Sequence, residues 1–93
     1  MSAADLDART VTLRYFASVR EGLGTGTENV ALPPELATVG DLLVWLRARD
    51  EVHAAALSES LRIRVAVDHV HADPETPIRG ASEIALFPMM TGG

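Results

Sequence analysis

Thr38-Val39-Gly40-Asp41-Leu42-Leu43-Val44-Trp45-Leu46-Arg47 decides how the rest of the chain is read. Thr38 can cap a helix, and Asp41 at the third helical position completes a box-like signature beside the positive end of the dipole. Val39, Leu42, Leu43 and Leu46 fall at i, i+3, i+4 and i+7, an apolar stripe for one sheet face. Trp45 lies at the edge of that stripe, and Arg47 and Arg49 suit the C-terminal end. A weaker helical stretch follows from Val52 to about Leu57.

On either side of this helix the period changes from 3.6 to 2. Thr10 to Phe16 alternates, with Val11, Leu13 and Tyr15 on one face and Thr12, Arg14 and Phe16 on the other, as in a half-buried strand. Ala17 to Leu23 suits a short helical turn, with Gly24 placed for a left-handed stop. Thr27 to Leu32 reads as a second strand with Val30 and Leu32 inward, ended by Pro33-Pro34, which cannot donate to a ladder. Downstream, Ile63, Val65 and Val67 alternate with Arg62, Arg64 and Ala66. Turn chemistry at Asp73-Pro74-Glu75-Thr76-Pro77 and at Arg79-Gly80-Ala81-Ser82 precedes a last strand from Glu83 to Phe87. This order predicts an α+β domain with one main helix on one face of a sheet. Residues 1–9 read as a loose leader, 10–87 as the domain and 88–93 as a flexible tail.

Composition narrows the function. The 93 residues suffice for one domain with a core, and 47% hydrophobic content excludes a wholly disordered chain. A net charge of −5 without a basic run argues against nucleic acid. No apolar run approaches the roughly 20 residues that cross a membrane. The opening residues lack the basic and apolar regions of a signal peptide, so the cytoplasm is the default expectation. All eight cations are arginines, and there is no cysteine. Disulfides, thiolate metal ligands and cysteine nucleophiles are therefore excluded together, and any sulfur the chain carries sits elsewhere.

Candidate chemistry is sparse. Gly22-Leu23-Gly24-Thr25-Gly26 lacks the GxGxxG spacing of a dinucleotide loop and reads as a plain loop. His69 and His71, beside Asp68 and Asp73, would share a face if both lay in a strand, but spacing fixes no third metal ligand, and a solvated hairpin fits better. No serine–histidine–acid arrangement or other catalytic constellation can be picked out. More informative are Phe16 and Phe87, each on the face of its strand opposite the core stripe. With Met89 and Met90 after them, they would form a patch for a partner, or else a second minor core under loops.

The chain ends Phe87-Pro88-Met89-Met90-Thr91-Gly92-Gly93. Together with Tyr15-Phe16-Ala17-Ser18-Val19-Arg20-Glu21, this ending resembles the MoaD/ThiS family of ubiquitin-like sulfur carriers, a resemblance running from about Thr10 to Gly93. It implies a β-grasp fold with a mixed four- to five-stranded sheet, whose parallel first and last strands would bring Phe16 and Phe87 close together. It also implies that the Gly93 carboxylate is the reacting group, adenylated with ATP by a ubiquitin-activating-like adenylyltransferase and converted to a thiocarboxylate by a sulfur donor protein. Thr91 and Gly92 would then thread a narrow channel. Phe16, Phe87, Pro88, Met89 and Met90 would contact a partner, with no bound cofactor and no metal. The implied role is that of the non-catalytic small subunit of molybdopterin synthase, donating sulfur to the large catalytic subunit. Molybdopterin-type members usually read Phe-Pro-Pro where this chain has Phe87-Pro88-Met89, so carriers for thiamine or cysteine synthesis stay open, as does a ubiquitin-like protein modifier.

Overall fold

The computed structural model describes residues 9–89; Met90, Thr91, Gly92, Gly93 and residues 1–8 lie outside the described residues. The elements in chain order are strand β1 (Arg9–Tyr15), helix α1 (Ala17–Leu23), β2 (Thr27–Leu32), α2 (Val39–Arg47), α3 (Glu51–Ala56), a 3₁₀ turn (Glu59–Leu61), β3 (Ile63–Val67), β4 (Val70–Ala72) and β5 (Glu83–Pro88). β1 begins and β5 ends one residue beyond the limits read from the sequence, because Arg9 pairs with Leu32 and Pro88 with Ile63.

The stretch around Thr38 forms as its residues dictate. Thr38 Oγ1 accepts from the Asp41 N–H, and the Asp41 carboxylate accepts from the Thr38 N–H, closing a capping box. Val39, Leu42, Leu43 and Leu46 are its buried residues. They meet Val11, Leu13 and Tyr15 of β1, Val30 and Leu32 of β2, Val65 of β3, and Ile84 and Leu86 of β5 in one core. Leu13, Leu42, Leu46, Ile84 and Leu86 have no exposed surface at all. Thr38→Ala leaves the Asp41 N–H without its acceptor and should cost about 1 kcal/mol, read as a lower urea midpoint at unchanged m-value.

The sheet order is β2-β1-β5-β3-β4. β1 and β5 run parallel, and every other pair is antiparallel. The parallel pair sits at the centre because its connection must cross over, and the intervening helices provide that cover. α1 packs closely against α3: a Cβ placed on Gly22 would lie 2.9 Å from the Ala56 Cβ. Gly24 caps α1 at φ 77, the left-handed conformation that glycine adopts without penalty. Of the glycine-rich segment read as a plain loop, Gly22 and Leu23 instead end α1, Gly24 caps it, and Thr25-Gly26 connect to β2.

The sequence reading takes the segment after β3 as a hairpin, and the structure places the short strand β4 in it. β4 pairs with β3 across a tight turn in which Asp68 and His69 both have positive φ, 47 and 72. Such turns usually announce themselves with Asn-Gly or Asp-Gly, and Asp-His gives a fainter signal. The Asp68 carboxylate holds the turn by accepting from the Ser82 and Glu83 N–H groups, both at 2.9 Å. The sheet is therefore five-stranded, within the range the resemblance implies.

Carboxylates that accept backbone N–H bonds are stabilised in their charged form. The N–H donors of Ala37 and Thr38 hold Asp41 below the usual aspartate value of 3.8, the His53 N–H does so for Asp50, and those of Glu83 and Ser82 for Asp68. Each folded-state pKa lies below its unfolded value, so the stabilisation is complete above pH 3.8 and is lost as pH falls through the lower folded values. Melting temperature is accordingly expected to fall as pH drops below about 4, as thermal melts across pH will read.

Candidate functional site

The C-terminal end of the central parallel pair carries the aromatic residues. Tyr15 is in register with Leu86, and the Phe16 N–H continues the ladder to the Leu86 carbonyl at 3.1 Å. Alternation then sends Tyr15 and Leu86 into the core, and Phe16 and Phe87 out through the face that no helix covers. Their ring centroids lie 6.4 Å apart at 84°, an edge-to-face pair. His71 of β4 adds a third ring, 5.9 Å from Phe87 and also edge-on. Phe16 remains 44% exposed. Sequence reasoning placed Phe16 and Phe87 in this patch but missed His71, because the register that carries His71 to Phe87 depends on β4.

β5 leads out of the sheet beside this cluster. Arg64, His71, Phe87, Pro88 and Met89 line a groove of about 240 Å³. Pro88 has no N–H to donate, but the Met89 N–H reaches the Arg62 carbonyl at 3.2 Å and carries the strand's direction one residue further. Met90, Thr91, Gly92 and Gly93, also expected in the site, lie outside the described residues.

A polar network beneath fixes the end of β1. The Tyr15 hydroxyl donates to Glu28 Oε1 at 2.7 Å, and Arg49 Nη2 donates to Glu28 Oε2 at 3.0 Å. The Arg49 guanidinium also lies 5.5 Å from the centre of the Trp45 ring. Burial pushes the Tyr15 hydroxyl pKa up, and its bond to Glu28 adds to the rise. For Glu28, burial acts upward but is outweighed by the bonds from Arg49 and Tyr15, which hold the carboxyl below its usual range. These residues tie β1 to β2 and to the segment after α2, so Phe16 extends from a strand end held on both sides.

His69 and His71 do not converge. His69 occupies the turn, with Nε2 3.7 Å from Glu83 Oε2, while His71 sits on β4 against Phe87. Among the described residues no three His, Asp or Glu side chains are grouped to hold a metal ion. His53 donates from its backbone to Asp50 Oδ1 at 2.8 Å, and its ring Nδ1 lies 2.7 Å from the same oxygen, a helix-capping arrangement without a nearby nucleophile in that pair. No helix of the described residues is long and apolar enough to cross a membrane.

Comparison with known proteins agrees with this geometry. The profile of the ThiS family matches residues 13–93. The chain is 31% identical over 83 residues to the molybdopterin synthase sulfur carrier subunit of Escherichia coli, covering 89% of this chain and 99% of that one. Among solved structures, the small archaeal modifier protein 1 of Haloferax volcanii superposes with a TM-score of 0.67 at 28% identity, over 91% of this chain and 100% of that chain. The corresponding protein of Methanosarcina acetivorans shares the fold, with a TM-score of 0.60 at 17% identity over 92% and 98% of the two chains. Both are ubiquitin-like neighbours of the five-stranded β-grasp sheet seen here. With the match extending from β1 to Gly93, and the Phe16/Phe87 pair at the root of the terminal segment, the chain belongs to the ThiS family.

Proposed function

We propose that this protein is a sulfur carrier whose Gly93 α-carboxylate is converted to a thiocarboxylate, and that it donates sulfur for molybdopterin synthesis as the small subunit of molybdopterin synthase. The observation that carries the reading is the edge-to-face Phe16/Phe87 pair, 6.4 Å apart, on the uncovered face where β5 leaves the sheet. A partner docked there would meet the chain where the segment after Met89 begins. Pro88 to Gly93 reach at most about 20 Å when extended, enough to enter a deep pocket. The likeness to the Escherichia coli carrier subunit supports the choice of pathway.

The chemistry divides between proteins. A carboxylate is resonance-stabilised and a poor electrophile, so a ubiquitin-activating-like adenylyltransferase uses ATP to form the Gly93 acyl adenylate and release pyrophosphate. A sulfur donor then supplies a sulfide equivalent, and AMP leaves. The thiocarboxylate is the nucleophile, and the large subunit supplies the acids, bases and substrate pocket. Nothing in this division requires a cofactor on the carrier or a location other than the cytoplasm.

Incubation with the activating enzyme, ATP and a sulfur donor should raise the intact mass by one oxygen-to-sulfur exchange. An unchanged mass would reject the carrier role. Complementation of a strain lacking the carrier subunit separates molybdopterin from thiamine or cysteine synthesis. Likeness to the small archaeal modifier proteins favours a second reading, a protein modifier joined through Gly93 to lysines. High-mass conjugates that vanish when Gly93 is removed would support it.

A further inference from the structure

The chain carries a net charge of −5, yet arginines surround the aromatic end of its uncovered sheet face. Arg14 of β1 is in register with Ala85, and Arg64 of β3 with Phe87, so the two flank β5 from opposite sides on the face that bears Phe87. Neighbouring strands lie about 4.8 Å apart, which separates the two arginine columns by on the order of 10 Å. Arg20 of α1 shares a hollow with Arg14 and Phe16. Between the arginines the outward positions are the small Ala66 and Ala85, leaving a low floor beside the rings.

Few acidic groups share this face. Glu83 is the carboxylate on the outward face of the three central strands; it lies at the far end of β5 and faces Arg14 and His69, each at 3.7 Å. Arg64 is exposed and makes no ion pair among the described residues. Glu21, Asp41, Glu51 and Glu59 lie on the helices and the 3₁₀ turn, Asp50 caps α3, and Glu35 shares a hollow with Asp41 of α2. Arg14, Arg20 and Arg64 thus gather at the aromatic end of the uncovered face, while Arg47 and Arg49 lie at the end of α2 and just after it.

We propose that the surface docking over Phe16 and Phe87 is an acidic protein surface, whose carboxylates meet Arg14 and Arg64 around an apolar centre. The inference rests on the carrier reading, and it identifies the occupant as the docking face of the large synthase subunit. Guanidinium forks match carboxylates in paired geometry, and a planar fork loses little freedom on binding. Charges at the rim of an apolar contact act chiefly on the rate of encounter. A carrier that must meet its partner repeatedly gains speed from such steering without gaining a long-lived complex.

Binding kinetics of the full chain with the large subunit, between about 0.1 M and about 1 M salt, test this, since the screening length shrinks from about 10 Å to about 3 Å over that range. The association rate of the unaltered chain should fall as salt rises. Arg64→Glu and Arg14→Glu should each lower it about tenfold at low salt and little at high salt, while Arg64→Lys recovers much of the loss. Arg79→Glu makes the same charge change in the exposed turn before β5, at the far end from Phe87, and should stay within about twofold. Arg64→Glu associating as fast as Arg79→Glu would overturn the inference. So would Arg64-dependent binding of a single-stranded oligonucleotide at the same salt, which would make the face one for nucleic acid. An unaltered chain that associates with the large subunit at no salt concentration would remove the carrier reading, and this inference with it.

Discussion

Removal of Gly93 is expected to abolish sulfur transfer. The truncated chain still ends in a carboxylate, now on Gly92, so the loss would come from position rather than from chemistry. Deleting one residue withdraws the reacting group by about 3.3–3.6 Å along an extended tail. Acyl transfer needs its partners about 3–3.5 Å apart, and a displacement of about 1 Å can already cost on the order of a hundredfold. Turnover below about 1% of the unaltered protein is expected on that basis. Two measurements decide it: intact mass after incubation with activating enzyme, ATP and donor, and product formation with the large subunit. The melting temperature should not move, because every core residue and ladder bond described lies between residues 9 and 89. Full transfer by the truncated chain would show that Gly93 is not the reacting residue.

Phe87→Arg is expected to abolish docking while leaving the domain folded. Phe87 lies outside the core cluster, with its ring against Phe16 and His71 on the uncovered face. Aromatic anchors at the centre of an interface commonly carry 2 kcal/mol or more, so affinity for the large subunit should drop at least about thirtyfold. The substitution also sets a cation directly across from Arg64, with which Phe87 is in register, and like charges in such pairs cost up to about 1 kcal/mol of stability. Phe87→Thr removes the ring without adding charge and keeps good strand propensity. Both variants should melt cooperatively near the unaltered temperature and fail in binding. Gross unfolding of Phe87→Thr would place Phe87 in the core, and full binding by it would move the docking surface elsewhere.

Much of the fold was legible because local rules agreed with one another. Thr38 and Asp41 announce the capping box from two residue types at the right spacing, and the box is present. Val11, Leu13 and Tyr15 alternate cleanly because one face of β1 is buried and the other is not, the condition under which a period of two is written most plainly. β4 was fainter. Val70–Ala72 is only three residues long, Val70 is 67% exposed, and a strand that buries so little has little need of a pattern. Phe16 and Phe87 stood out by parity, as large apolar residues on the wrong side of an otherwise orderly alternation. His71 carried no such mark, since an exposed histidine in a short hairpin is ordinary.

Local sequence thus determined the elements, their inward faces and the two aromatics left outside. These are properties of neighbouring residues, governed by a helical period of 3.6 and a strand period of two. Tertiary structure decided which of those outward residues meet. Nothing within β1 or β5 alone reveals that Phe16 and Phe87 share a corner. Their contact follows from the parallel pairing of the first and last strands, which the MoaD/ThiS resemblance implied and local pattern could not. The same pairing, with β3 on the other side of β5, sets Arg14 and Arg64 on either side of β5. Register across three strands is a long-range agreement among hydrogen bonds and a shared core, so the site exists only once the sheet has closed.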